Sequence, residues 1–176
     1  MDWRKLAHGN ERQKQAYKIV ESLNIDSSVD FDLTYCVAGT IPIDIDIEDS
    51  DIDIISSTPD LKKMESWLSK KFCDYPNFIS FYFTSSDGRA LVAKVRIEGY
   101  LVEFFAVEKP LNEQFGFRHM IAEWQILKRF DEEFRRDIRS LKRSGIKTEP
   151  AFAMRLGLVG DPYGAILDYA TQMEAT

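Results

Sequence analysis

Residues 33–56, LTYCVAGTIPIDIDIEDSDIDIIS, decide how the chain is read. Residues 33–38 form an apolar, β-favouring run that stops at Gly39. Ile52, Ile54 and Ile55 surround Asp51 and Asp53 in a second run of the same type, so two strands are predicted. Alternation along a strand turns Asp51 and Asp53 to one side, roughly 6–7 Å apart, and sends Ile52 and Ile54 into a core. Adjacent carboxylates on stiff backbone repel, and the remedies are a retained proton, open water or a bound cation. A hard, oxygen-seeking ion such as Mg2+, with Mn2+ as the alternative, suits the pair. A second reading stays beside this one. Asp44, Asp46, Glu48, Asp49, Asp51 and Asp53 make a nearly period-two series, as on an edge strand kept acidic against aggregation. The Gly39-Thr40 step favours the site: glycine at a strand end lets backbone N–H groups approach phosphate oxygens, and the threonine hydroxyl adds a further bond.

The 176 residues, 44% hydrophobic and 12% aromatic, predict one soluble globular domain spanning residues 1–176. No run of 18 apolar residues occurs, and the first residues, MDWRKLAHGNERQ, are charged, so a cytoplasmic protein without membrane contact is expected. Cys36 and Cys73 lack any metal-binding spacing and read as reduced core residues, with no zinc and no disulfide. A net charge of −6 argues against nucleic acid as a partner and for a small-molecule or protein substrate.

Asn10 is positioned to cap a helix reaching about Leu23. Thr58-Pro59 is read as the start of a helix ending near Phe72. Residues 78–84, 89–97 and 100–107 predict an antiparallel meander joined by short turns. Glu103 stands within its last strand, in LVEFFAV, where a buried carboxylate needs a cation or a positive neighbour. Lys94 or Arg96 on the adjacent strand could serve as well as a metal. Helices are expected from Asn112, Asp131, Thr148 and Asp161-Pro162. Arg139, Lys142 and Arg143 near one helix end read as dipole-matched, solvating cations, with phosphate binding by this basic face as the other reading. His119 is expected to pair with Glu123 one turn on, with a catalytic base or phosphate contact at Arg118-His119 as the alternative.

Gly39-Thr40, then ten residues, then Asp51-Ile52-Asp53, followed some strands later by Glu103, resembles the signature of the DNA polymerase β-type nucleotidyltransferase superfamily. GTIPIDIDIEDSDIDII, FRHMIAEWQIL and KTEPAFAMRLGLVGDPY are similar to segments of an uncharacterised family of small bacterial proteins assigned to it. Thr40 and Glu103 replace the commoner Ser or Gly and Asp, and Ile41-Pro42-Ile43 replaces a short helix that many members begin there. The resemblance implies an α/β (α+β) fold: a small mixed sheet with helices on one face and a C-terminal helical part, the sheet-containing core within residues 1–110 and the helices within 111–176. It implies catalytic and metal-binding roles for Asp51, Asp53 and Glu103, and nucleotide binding by Gly39, Thr40 and Ser50. The implied activity is Mg2+-dependent nucleotidyl transfer from a nucleoside triphosphate to a small-molecule or protein hydroxyl. The alternative from another class is a silent binding module on the same fold, antitoxin-like or nucleotide-sensing.

Overall fold

In a computed structural model that describes residues 2–174, the isoleucine–aspartate alternation acts as its period demands. Ile52 and Ile54 are buried on one side of strand β2 (Ile52–Ser57), and Asp53 turns to the other. β1 (Thr34–Ala38) pairs antiparallel with β2. After β2 the chain crosses by α3 (Leu61–Phe72) to the far edge of the sheet. It returns through β3 (Ile79–Ser85), β4 (Gly88–Ile97) and β5 (Tyr100–Val107), an antiparallel meander whose last strand lies parallel to β2. The order β1-β2-β5-β4-β3 is the mixed sheet of an α+β fold.

One face packs against α1 (Glu11–Ser22) and α3. Phe72 and Phe104, with ring centroids 5.6 Å apart, anchor this core, and each such buried side chain contributes about 1.5–3 kcal/mol. The second face carries Asp53 and Glu103. Its β1/β2 half lies under α4 (Phe115–Leu127), α5 (Glu132–Arg143), α6 (Thr148–Leu156) and α7 (Pro162–Glu174), which share a core with Cys36, Ala38 and Ile55. Its β3 half stays open, with Phe81 and Phe83 exposed. Among the described residues no helix is long and apolar enough to cross a membrane.

Helix starts follow the side chains that can satisfy free N–H groups. Asn10 and Gln13 form a reciprocal capping box on α1, as the sequence predicts. For α3 the cap is Asp60, which accepts from Lys63 N–H, while Thr58 accepts from Asp60 N–H in a turn ahead of the helix, so the helix starts two residues later than expected. The expected start at Asn112 is a single 3-10 turn, Leu111–Glu113, and α4 begins only after Gln114. The 3-10 segment Trp3–His8 and the four-residue α2 (Ile25–Ser28) carry too short a pattern to be read in advance. Cys36 is buried, which pushes its thiol up to about 11, whereas Cys73 is exposed beyond the end of α3 and is not a core residue.

The stretch between β1 and β2 is not an edge strand. Residues 41–44 form turns, Asp44 takes a φ of 59°, and Ile41, Ile43 and Ile45 are buried. Asp51 lies one residue ahead of β2 rather than within it.

Candidate functional site

The site grows from register. Ala38 of β1 stands beside Asp53 of β2, Asp53 beside Glu103 of β5, and Glu103 beside Lys94 of β4. These residues form one row across the sheet on a single face. Glu103 shares a face with Asp53, and its carboxylate is ion-paired with the Lys94 ammonium, so the two alternatives offered for it are not exclusive. Gly39 follows Ala38 with a φ of 74°, and a Cβ built there would meet the Asp53 carboxylate oxygen at 2.1 Å. The glycine thus gives the Asp53 carboxylate its place, a role separate from any approach to phosphate.

The loop after Gly39 is closed on itself. Thr40 donates its hydroxyl to Ser50 Oγ at 3.3 Å, and Ser50 Oγ accepts Ile47 N–H at 2.9 Å. Arg12 of α1 donates to the Ser50 carbonyl at 2.6 Å. Lys142 of α5 donates to the Ile45 carbonyl at 2.8 Å, and Arg135 to that of Ile43 at 2.9 Å. Thr40, Ser50 and Asp51 are in this way held at one wall of a cavity of about 540 Å3 that Gly39, Asp53 and Glu103 also line.

The opposite wall comes from the helices. Glu123 of α4, Lys142 of α5, and Thr148 and Glu149 of α6 face the acidic row, while Phe105 and Phe115 provide apolar surface. Burial raises the Asp53 carboxyl well above its ordinary value, and the negative charges of Asp51 and Glu103 raise it further. Burial likewise raises Glu123, with Glu149 adding to the effect. Lys142 is lowered to about 8 by burial, although Glu123, Asp46, Asp51 and Asp53 all favour its charged form. Lys94 is raised, first by its bond to Glu103 and also by the charges of Asp51 and Asp53. Lys94, beside Glu103 on the sheet, and Lys142, on α5, thus both stand near this negative charge.

Asp51, Asp53 and Glu103 offer hard oxygen donors, the set that suits Mg2+. Burial and the charges of Asp51 and Glu103 disfavour the Asp53 carboxylate, and a cation among these oxygens would favour it. Among the described residues no three carboxylate, imidazole or thiol side chains already converge as a metal cage, so these acids are neighbours on the cavity wall.

Some cavity residues carry no signal in the sequence. Lys142 reads like its neighbours Arg139 and Arg143, and only the rotation of α5 aims it inward. Gln114 is buried, its amide donating to the carbonyls of Ser56 at 3.1 Å and Lys109 at 2.7 Å, and its Oε1 has no partner among the described residues. His119 was expected to pair with Glu123. Instead Nε2 lies 3.1 Å from the Tyr163 carbonyl, which can only accept, and the ring stacks on Phe115 at 5.9 Å. Arg118 is exposed, over the Phe115 ring at 5.7 Å.

Residues 17–169 match the family described as Domain of unknown function (DUF4269), and the chain belongs to that family. No curated protein matches it in sequence. Among solved structures it is similar to a cytoplasmic RNA terminal U-transferase, at 12% identity and a TM-score of 0.55 over 84% of this chain and 46% of that one. It is also similar to the Cid1 poly(U) polymerase bound to MgATP, at 11% identity and a TM-score of 0.56 over 83% and 48% of the two chains. Cid1 in complex with the UTP analogue UMPNPP gives 9% identity and a TM-score of 0.56 over 84% and 48%. The chain spans less than half the length of each of these neighbours, and the likeness is one of nucleotidyltransferase fold.

Proposed function

We propose that this chain transfers a nucleotidyl group from a nucleoside triphosphate to an acceptor hydroxyl, releasing pyrophosphate. The observation that carries the reading is the row Asp53–Glu103–Lys94, set in a cavity beside Gly39, Thr40 and Ser50. Residues 1–176 are taken as one nucleotidyltransferase-like unit, because sheet and helices share the core that encloses this cavity. The two free thiols accord with a cytoplasmic setting.

Asp51, Asp53 and Glu103 would hold Mg2+, or Mn2+, which when bound supplies Lewis-acid polarisation of the reacting phosphoryl group. The chain's own groups divide the remaining work. The hydroxyls of Thr40 and Ser50 and the backbone at Gly39 orient the β- and γ-phosphates. The Lys142 ammonium meets their charge from the opposite wall. Glu103, ion-paired with Lys94, takes the proton of the acceptor hydroxyl as that oxygen bonds to the α-phosphorus. The bond from the α-phosphorus to the bridging oxygen breaks, and pyrophosphate leaves.

The acceptor is a small molecule or a protein hydroxyl. Neighbours in fold act on RNA, so a short oligoribonucleotide belongs in the same assay. Purified protein incubated with each nucleoside triphosphate and Mg2+, in the presence of mixed acceptors, is followed by mass spectrometry. A nucleotide-mass addition to protein or acceptor, lost with Asp53→Asn, is expected. Nucleotide binding without any addition across the acceptor set would move the chain to the class of binding modules.

A further inference from the structure

The two edges of the sheet are unlike. β1 is five residues long, and its Cys36, Val37 and Ala38 are buried. β3, ISFYFTS, is seven residues long, and β4 is its one strand neighbour among the described residues. It carries no charged residue and no proline, the devices that ordinarily keep an open edge from pairing with another chain. Ile79, Phe81 and Phe83 are 53%, 44% and 43% exposed on one face. The Phe81 and Phe83 ring centroids lie 6.3 Å apart, and Phe83 is 6.3 Å from Phe105.

Backbone geometry identifies the groups that remain free. β3 and β4 are joined by a two-residue turn that makes Ser85 and Gly88 partners. Such a closing pair is hydrogen-bonded, so alternation directs the peptide groups of Phe83, Phe81 and Ile79 toward β4. Those of Ser80, Tyr82 and Thr84 face outward.

We propose that β3 is a homodimer interface, in which two copies of this chain join β3 to β3 antiparallel about a two-fold axis at Tyr82. In that register Tyr82 meets its counterpart and Ser80 meets Thr84 of the second copy. Every outward-facing N–H and C=O of these residues then has a partner. Phe81 falls opposite Phe83 of the second copy as a non-hydrogen-bonded pair, the arrangement with the closest side chains. A second copy is favoured over a foreign strand because ISFYFTS is self-complementary about Tyr82: ring against ring at 81 and 83, hydroxyl against hydroxyl at 80 and 84. Charge agrees. Near Tyr82 each copy brings Arg89, 4.5 Å over the ring, and Glu65, which accepts the tyrosine hydroxyl at 3.0 Å. Positive and negative groups therefore both reach the axis of two chains that otherwise repel at a net charge of −6 each. The same register sets Phe78 of the second copy beside Ser86, in the turn that lines the cavity. Pairing would thus place partner backbone at its rim.

Sedimentation velocity of the full chain over rising concentration tests this. A reversible monomer–dimer equilibrium is expected, with Phe81→Lys raising the dissociation constant about tenfold or more. Ser80→Pro removes only an outward-facing donor, so it should keep the native circular dichroism while weakening the dimer. Amide exchange in the wild type should slow at Ser80, Tyr82 and Thr84 as concentration rises, a measurement that needs no variant. A wild type monomeric throughout, a dimer untouched by either folded variant, or edge amides with concentration-independent exchange would each overturn the interface.

Discussion

Asp44, Asp46 and Glu48 stand a few residues from Asp51 and Asp53 in one acidic run, yet the two groups meet opposite fates. The first group is held by arginines. Arg139 donates to Asp44 at 2.9 Å, Arg143 grips Glu48 through two bonds of 3.0 and 2.9 Å, and Arg12 stands 3.9 Å from Asp46. Their charge goes into tying the loop to α1 and α5. Asp51 and Asp53 turn instead to a cavity lined by Lys142, Glu123 and Glu149 and by no arginine among the described residues, and burial together with the charges of Asp51 and Glu103 raises the Asp53 carboxyl. Guanidinium matches a carboxylate in a fixed fork, whereas a lysine is a mobile point charge that a metal or phosphate can rearrange. An acidic motif is thus a candidate site where arginine does not already claim it.

The largest effect should come from Asp53→Asn. Nucleotidyl transfer is expected to fall roughly 10³-fold, the scale on which a preorganised charge-stabilising group acts in a transition state. Stability should move the other way. A carboxyl raised in the folded state contributes less as pH climbs from its unfolded toward its folded value, so at neutral pH the metal-free wild type bears a cost that asparagine removes. Thermal melts without and with Mg2+ check the sign: the variant should melt higher without metal and lose the metal-induced gain. A lower metal-free melt would put Asp53 with the structural acids. Gly39→Ala should come next. It strains a φ of 74°, costing about 1–2 kcal/mol, and sets a methyl 2.1 Å from the Asp53 oxygen. Displacing that carboxylate should lower turnover by roughly tenfold to a hundredfold, read from steady-state rates beside a denaturant melt.

Sequence alone carried the sheet, because period-two alternation at Ile52, Asp53 and Ile54 and the turn-punctuated meander are local signals. It also carried the closeness of Asp53 and Glu103 as far as their shared strand character allowed; their register depends on the crossover through α3. The far wall was illegible for a physical reason. Lys142 follows Arg139 in an amphipathic helix whose cations all look alike until packing fixes the rotation, and Glu123 shows no unusual neighbour until α6 brings Glu149 to it. The cap at Asp60 was missed because Thr58-Pro59 is an equally good local start, and the Thr58–Asp60 bond delays the first helical turn.

Lys142 offers a finer test of the contrast. Lys142→Met should weaken triphosphate binding about tenfold, the loss of one charge-assisted contact, and weaken monophosphate binding less. In the wild type that affinity should decline as pH rises through about 8, where the ammonium is lost, and the variant should be flat across the same range. Stability has the opposite slope. The folded state holds this proton more weakly than the unfolded chain, so the lysine's contribution improves from about pH 8 upward, and the methionine variant should lack that rise. Calorimetric titration and melts at several pH values separate the two.

The smallest effect belongs to the arginine-held side. Glu48 is exposed, and its bonds to Arg143 lower its carboxyl to about 2. A depressed carboxyl contributes stability that is present above its ordinary value and lost as pH falls toward about 2, so Glu48→Gln should remove only acid-range dependence. At neutral pH a solvent-exposed pair is screened, and the melt should shift by no more than about 1–2 °C. Mg2+ and triphosphate binding should stay as in the wild type, because this carboxylate points to guanidinium outside the cavity. Arg143→Gln should match Glu48→Gln, and the double variant should add nothing beyond either single change. If Glu48→Gln instead removed metal binding to the extent of Asp53→Asn, the acids would form one electrostatic unit, and the division between loop-holding and cavity-facing carboxylates would fall.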